Sequence, residues 1–432
     1  MADPRTERSM ASATFASLRF PNYRLWFAAA LVANVGAWAQ RVGQDWIVLT
    51  HLTDNSGTAV GFSVAMQFLP VLVLSPYAGL LADRLPRRRL LMSTQALMGL
   101  NAVVLATLVL TDVVQLWHVY LLALVGGCIS AIDNPVRATF VSELVPPDNL
   151  TNAVGLNSAS FNAARLVGPG IAGLLIAAVG PGWVFVINAC TFALSITAIA
   201  AMNPRKLHVL PSAPRAKGQL REAVVYVRGR GDIQVIMLVV GVVTMFGLHF
   251  QLTSALMARV EFGLGAGEFG MLGSVLAVGS LAGAILAARR KEPPRVRLVL
   301  GAAFGLAAAL GVSALMPSYL TFLLLAAPIG FASLTMLTGA NAALQTSVAP
   351  AMRGRVMALY MMVFLGGAPV GSPLVGWIGE TFGPRVAIGL GAAVTLTVCV
   401  IAWRWAHCRW RVSYRLTRPA LLPQLEILHP MA

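Results

Sequence analysis

The chain is dominated by apolar runs of about twenty residues, each long enough to cross roughly 30 Å of hydrocarbon at 1.5 Å per helical residue. About twelve such runs are found, at 25–49, 59–81, 90–113, 117–141, 152–179 and 183–202, then at 233–257, 269–288, 298–316, 319–348, 356–378 and 386–403. Spanning structure in lipid must satisfy its own backbone hydrogen bonds, so runs of this length read as helices. The expected fold class is an all-α membrane protein of twelve transmembrane helices in two six-helix pseudo-repeats.

Composition agrees: 57% of the 432 residues are hydrophobic, 11% are charged, and mean hydropathy is +0.75. A soluble domain carries about a quarter charged residues. The net charge of +16 raises nucleic acid as a partner. The basic residues, however, come in short clusters between apolar runs and form no continuous face with interleaved aromatics, so no nucleic acid is expected. Cys128, Cys190, Cys399 and Cys408 lie in or beside apolar runs without metal-ligand or CxxC spacing and read as packing residues. No phosphate-binding loop, metal cluster or nucleophile with a spaced base is present, which disfavours an enzyme, direct ATP drive and any cofactor. The first twenty residues contain Arg5, Arg8 and Arg19 and no short apolar core with a cleavage site, so the first helix is expected to remain as an anchor.

The loops carry an asymmetry. The basic residues fall in the even-numbered loops, four of which carry clusters: Arg84 and Arg87 to Arg89, then Arg205 to Arg230, then Arg289 to Arg297, then Arg353 and Arg355. The alternate loops hold essentially Arg259 and Arg385. Basic loops stay on the cytoplasmic side, which places both termini and the long middle loop there. The expected division is a cytoplasmic segment at 1–24, a first bundle at 25–202, a linker at 203–232 with a short surface helix over 220–227, a second bundle at 233–405, and a cytoplasmic tail at 406–432 that begins on anionic headgroups. A weak repeat joins the bundles. Gly79 recurs as Gly283, Pro146 as Pro350 and Gly173 as Gly376, all near an offset of about 204 residues. Ala287 stands near the place where the second copy would carry the counterpart of Asp83.

The turn from Gly79 through Asp83 and Arg84 to Arg89 is too polar for a bilayer interior. An acid there can face the positive end of another helix and pair with an arginine. The alternative is topology alone, with arginines stopping translocation and Asp83 capping a turn; that reading is preferred for Arg87, Arg88 and Arg89 individually.

Charge within a span costs about 2.5–3.5 kcal/mol at a helix centre and therefore marks function or a partner. Arg41 and Asp45 lie four apart on one face of the first span beside Gln40 and Gln44, and Arg165 lies in the fifth span with Asn157, Ser158 and Asn162. Asp45 is the best candidate for a protonatable coupling site; a buried structural pair with Arg41 is the equal alternative. Loss of water favours the neutral acid and Arg41 favours the carboxylate, and the order of those effects stays open. Asp133 and Arg137, again four apart, read first as a local ion pair and second as a coupling site. In the fifth span Gly168, Pro169, Gly170 and Gly173 combine small residues with a proline, a pattern for close helix contact; Gly366 to Pro373 echo it in the eleventh. Gln67, Asn157, Asn162, His249, Gln251, Asn341 and Gln345 are candidates for a central cavity, with Met357, Met361, Met362 and Phe364 as pliable apolar lining.

The turn Gly79-Leu80-Leu81-Ala82-Asp83-Arg84-Leu85-Pro86-Arg87-Arg88 resembles the signature between the second and third helices of major facilitator superfamily transporters, with Pro86 in place of the usual glycine. That resemblance implies an inner-gate latch from Asp83 to the eleventh helix, here with Arg355 as partner. The fifth-span glycines and proline loosely resemble the motif associated with antiporters. The stretches Leu18 to Trp26, Trp38 to Trp46, Asn134 to Arg137, Ala163 to Pro169 and Phe185 to Ala189 are similar to the enterobactin-exporter-like branch. The resemblance implies a monomeric proton-coupled exporter of an amphipathic small molecule, of drug or siderophore type, in a bacterial inner membrane, contacting lipid and drawing energy from the proton gradient. An uptake symporter or facilitator is the alternative within transport; a non-transporting sensor or assembly factor is the alternative outside it.

Overall fold

The computed structural model describes residues 15–208, 219–290 and 294–410, without the side chains of residues 75, 76, 78–84, 219, 220, 288, 350, 351, 406 and 408–410. Gly79, Asp83 and Arg84 of the expected latch therefore lie outside the described side chains, as do most of the tail and the middle of the linker.

Among the described residues, all regular structure is helical. The first bundle contains α1 (Pro21–Ile47), α2 (Gly57–Arg84), α3 (Arg87–Leu110), α4 (Leu116–Leu144), α5 (Leu150–Val179) and α6 (Pro181–Ala201). A linker helix, α7 (Gln219–Arg228), covers the stretch expected for one. The second bundle contains α8 (Gly231–Phe246), α9 (Phe250–Leu256), α10 (Ala266–Ala288), α11 (Val296–Ala314), α12 (Tyr319–Ser347), α13 (Pro350–Thr381) and α14 (Pro384–Trp410). Among the described residues, 11 segments are long and apolar enough to cross a membrane, α8 and α9 together forming one of them. The first of the twelve expected spans, α1, is long enough at 27 residues but is less apolar, because it carries Asn34, Gln40, Arg41, Gln44 and Asp45. Those side chains face the interior, not lipid: Gln44 and Asp45 are buried, and Asn34, Gln40 and Arg41 line the space between the bundles.

The repeat is visible in the turns. Gly180 and Gly383 both take positive φ, +88° and +98°, immediately before Pro181 and Pro384, which open α6 and α14. A left-handed glycine ends one helix and a proline with fixed φ begins the next, so a single hinge recurs 203 residues later in the chain. A further equivalence appears where α1 and α9 each end in a five-residue π turn, Val48–Leu52 and Met257–Glu261.

The bundles meet along two glycine seams. In one, α5 lies on α10, and a Cβ at Gly173 would stand 2.6 Å from the Ala266 carbonyl and 3.0 Å from the Gly270 Cα. In the other, α2 lies on α13, and a Cβ at Gly57 would stand 2.6 Å from the Gly376 carbonyl. Gly173 and Gly376, one repeat apart, thus make equivalent crossings in which only hydrogen fits between the backbones. Gly168 serves packing inside the first bundle, where a Cβ would meet Trp38 at 2.6 Å, while a Cβ at Gly170 would meet Ser274 of α10 at 2.6 Å. Pro169 lies in the same seam beneath Gly273.

The end of the molecule that carries Arg87 to Arg89, Arg353 and Arg355 is termed the basic face. Here Arg87 pairs with the buried Glu143 of α4 at 2.5 Å, and Arg88 donates to the Ile199 and Ala200 carbonyls at the end of α6. These two arginines therefore bind helix ends as well as marking a side, which topology alone does not anticipate. The segment before α1 and the first turn of α1 are stapled down as well: the Ser17 amide donates to Asn152 at 2.9 Å, and the buried Tyr23 hydroxyl to the Ala153 carbonyl at 2.8 Å.

Candidate functional site

Between the bundles lies a cavity of about 1330 Å³. It extends from Gln44 and Asn188, near the face opposite the basic one, to Arg137, Gly354 and Arg355 near the basic face. On that opposite side the two glycine seams close the molecule, and Trp46 of α1 stacks on Phe269 of α10 with ring centroids 5.7 Å apart. Glu380 at the end of α13 adds a polar tie across the bundles, accepting from the Ser56 hydroxyl at 2.7 Å and the Thr58 amide at 2.9 Å. That carboxylate caps the start of α2, where an anion is favoured.

The cavity has two chemically different walls. The first bundle supplies amides and charges, among them Gln40, Arg41, Gln67, Asn157, Asn162 and Arg165. The second bundle supplies Leu334, Leu337, Met361, Met362, Phe364 and Leu365, with Arg355 as its single polar lining side chain among the described residues. Gln67, Asn157 and Asn162, chosen from sequence as cavity candidates, line it.

Arg41 and Arg165 converge on one aromatic ring. Their guanidinium carbons lie 4.7 Å and 5.6 Å from the Trp38 ring centre, and Arg41 also lies 5.8 Å from the Phe68 ring. Phe161 meets Trp38 edge-on at 5.9 Å. Arginine over an indole face is attracted by the ring quadrupole, worth about 0.5–2 kcal/mol depending on desolvation. No ion pair joins Arg41 to Asp45 among the described residues, so the two groups that share a helix face attract one another without touching.

Asp45 points instead toward the second bundle. It is 4% exposed, and its Oδ2 accepts from the Gln251 side-chain amide at 3.2 Å, whereas Oδ1 is buried without a hydrogen-bond partner among the described residues. Gln251 reaches it because the expected seventh span is broken at Gly247, Leu248 and His249. The same break explains His249. Its Nε2 lies 3.0 Å from the Met245 carbonyl, left free where the helical ladder stops, and it does not line the cavity. Asn341 does not line it either; its Oδ1 accepts from Gln345 one turn away at 2.5 Å.

Asp133 is fully engaged. Oδ1 accepts from Thr94 at 2.7 Å and Gln95 at 2.9 Å, and Oδ2 from Arg137 at 3.1 Å. Arg355 pairs with Glu222 of α7, so the linker helix reaches the start of α13. Sequence reading did not single out Trp38, Phe161, Glu222 or Glu380 for these positions.

Two six-helix bundles related by a repeat, meeting around an internal cavity lined by buried charge, define a transporter and not an enzyme. The chain belongs to the transmembrane secretion effector family of the major facilitator superfamily, whose model matches residues 12–417. Among its relatives, the multidrug efflux pump Tap of Mycolicibacterium fortuitum is 28% identical over 82% of this chain and 88% of its own length. The enterobactin exporter EntS of Citrobacter koseri is 24% identical over 84% and 86%. The staphyloferrin A transporter of Staphylococcus aureus is 26% identical over 40% of this chain, a match that spans 43% of that protein. The fold is shared with a bacterial homologue of the lysosomal transporter Spinster, at a TM-score of 0.64 and 17% identity over 88% of this chain and 95% of that one. It is shared also with a D-xylose–proton symporter, at 0.65 and 15% over 88% and 98%.

Proposed function

We propose that this transporter exports an amphipathic small molecule from the cytoplasm of a bacterium, as a monomer in the inner membrane, driven by inward proton flow. The observation that carries this reading is the two-walled cavity: a polar wall on one bundle and a methionine- and leucine-rich wall on the other suit a ligand with one polar and one apolar side. Basic loops on the cavity's open side support a cytoplasmic location for that side and for both termini. A cytoplasmic ligand then enters directly, and rocking of the bundles about the glycine seams exchanges the open face. The names of Tap and of EntS, an efflux pump and an exporter, support the same direction.

Asp45 is the proposed proton carrier. Among the described residues its Oδ1 has no partner and can take a proton, and its one side-chain hydrogen bond crosses between the bundles, so protonation and rocking act on a single contact. Asp133, with both oxygens occupied, is assigned to positioning of α3 and α4. The inner latch from Asp83 to α13 is retained as the contact of the alternate state, in which Arg355 leaves Glu222. Asp83→Ala is then expected to disturb gating while changes at Ala287 have little effect; equal effects at both would remove the latch.

The test uses inverted membrane vesicles with an imposed proton gradient and a panel of amphipathic dyes. Accumulation that collapses with a protonophore is expected. Equilibration indifferent to the gradient would replace export with facilitated diffusion.

A further inference from the structure

Five charged side chains line the cavity among the described residues: Arg41, Arg137, Arg165, Arg355 and Asp133. Two of the arginines are neutralised, Arg137 by Asp133 and Arg355 by Glu222. Arg41 and Arg165 have no hydrogen-bond or ion-pair partner among the described residues, and they repel one another. Asp45 attracts Arg41 from one turn away but accepts its hydrogen bond from Gln251. Two half-buried cations thus share one indole, and the ring compensates only part of what the loss of water costs them.

A cation would be repelled there and a neutral molecule would leave both guanidiniums unpaired. An oxyanion supplies what is missing, since a planar guanidinium binds carboxylate or sulfonate through paired N–H groups. The rings of Trp38, Phe68 and Phe161 suit a flat body next to that anion, and Met361, Met362 and Leu365 offer the apolar wall beyond it. We propose that the cavity is selective for organic anions, whose oxyanion sits between Arg41 and Arg165 and whose apolar body rests on α13. This inference deepens the export reading, because it assumes that the cavity is the substrate site, yet it concerns binding and is independent of direction and driving force.

The test is equilibrium binding to the purified full chain in lipid nanodiscs, read by ligand fluorescence, with 1-hydroxy-2-naphthoate and its uncharged carboxamide as probes. The naphthoate is expected to bind at least tenfold more tightly than the carboxamide. Arg165→Gln is expected to lose at least tenfold in naphthoate affinity with little change for the carboxamide. Arg165→Lys, which keeps the charge, restores much of that affinity, and unchanged carboxamide binding reports an intact fold. Arg353→Gln, an equal charge loss at an exposed position outside the cavity, leaves both affinities unchanged. Equal affinity for the two probes, an unaffected Arg165→Gln variant, or no naphthoate binding would each overturn the proposal. A protein that binds naphthoate but accumulates nothing in vesicles refutes export and leaves anion selectivity standing. A protein that accumulates the cationic dye rhodamine 6G yet binds no naphthoate does the reverse.

Discussion

The Gln251 side chain, one residue into α9, donates to Asp45 near the end of α1 at 3.2 Å, so an amide of one bundle holds the buried acid of the other. The contact exists because α8 stops at Phe246 and α9 begins at Phe250, which turns Gln251 toward α1. Discontinuous helices at the repeat interface commonly form ion and substrate sites in transporters of this architecture. Here the break joins a titratable group to the surface between the two bundles.

Asp45→Asn preserves the size of the side chain and removes its titration. It is expected to lower gradient-driven accumulation in inverted vesicles at least tenfold while leaving probe binding within about threefold. Asp45→Glu is expected to keep a fraction of the driven flux. An asparagine variant that transports at the full rate under the gradient would show that the proton travels elsewhere.

Closure of the face opposite the basic one depends on backbone contact at Gly173 and Gly376. A Cβ at Gly173 lies 2.6 Å from the Ala266 carbonyl, a position that neither helix can relieve without moving apart. Overpacking of this kind costs about 1–3 kcal/mol. Gly173→Val is therefore expected to favour the state open on the opposite face. Ser274→Cys, in a background without the four native cysteines, would report the shift by faster labelling with a membrane-impermeant maleimide applied from that side. Unchanged labelling would mean that the seam is not the moving part.

Much of this organisation is legible in the residues themselves. Span length and hydropathy locate the helices, and the cost of charge in a bilayer isolates Arg41, Asp45 and Arg165. The aromatic partners escape notice, because Trp38 and Phe161 in apolar helices look the same in sequence whether they face lipid or stack beneath an arginine. Glu380 and Glu222 escape it for another reason: their partners lie 322 and 133 residues away, and no local pattern links them. His249 and Asn341 were misleading as cavity candidates because a polar side chain in a span needs only some partner. For His249 that is a carbonyl freed by the helix break, and for Asn341 it is Gln345 one turn on.

Arg87 and Glu143 form an ion pair whose side chains are 13% and 5% exposed. Removing one member of a buried pair strands the other charge and costs about 3–5 kcal/mol, whereas removing both costs far less. Glu143→Ala is expected to lower the thermal unfolding temperature of the purified protein markedly, and Arg87→Ala with Glu143→Ala to recover a large share of the loss. Additive losses in the double variant would show that the two side chains act independently.

Glu380 ties the ends of α13 and α2 together across the opposite face by accepting from Ser56 and Thr58. Both bonds must break when that face opens, yet neither touches the cavity or Asp45. The carboxylate is exposed, so its worth is that of a helix cap, about 1 kcal/mol, which corresponds to roughly a fivefold change in the ratio of the two states. Glu380→Ala is expected to leave naphthoate affinity per cytoplasm-open molecule unchanged while raising the population open on the other side by about that factor. Distances between spin labels placed on the outer ends of α2 and α13 would measure the ratio directly. Ser56→Ala removes one of the two donors and is expected to produce a smaller shift in the same direction. A shift toward the cytoplasm-open state in either variant would assign Glu380 to the opposite role, a brake on closing and not a latch.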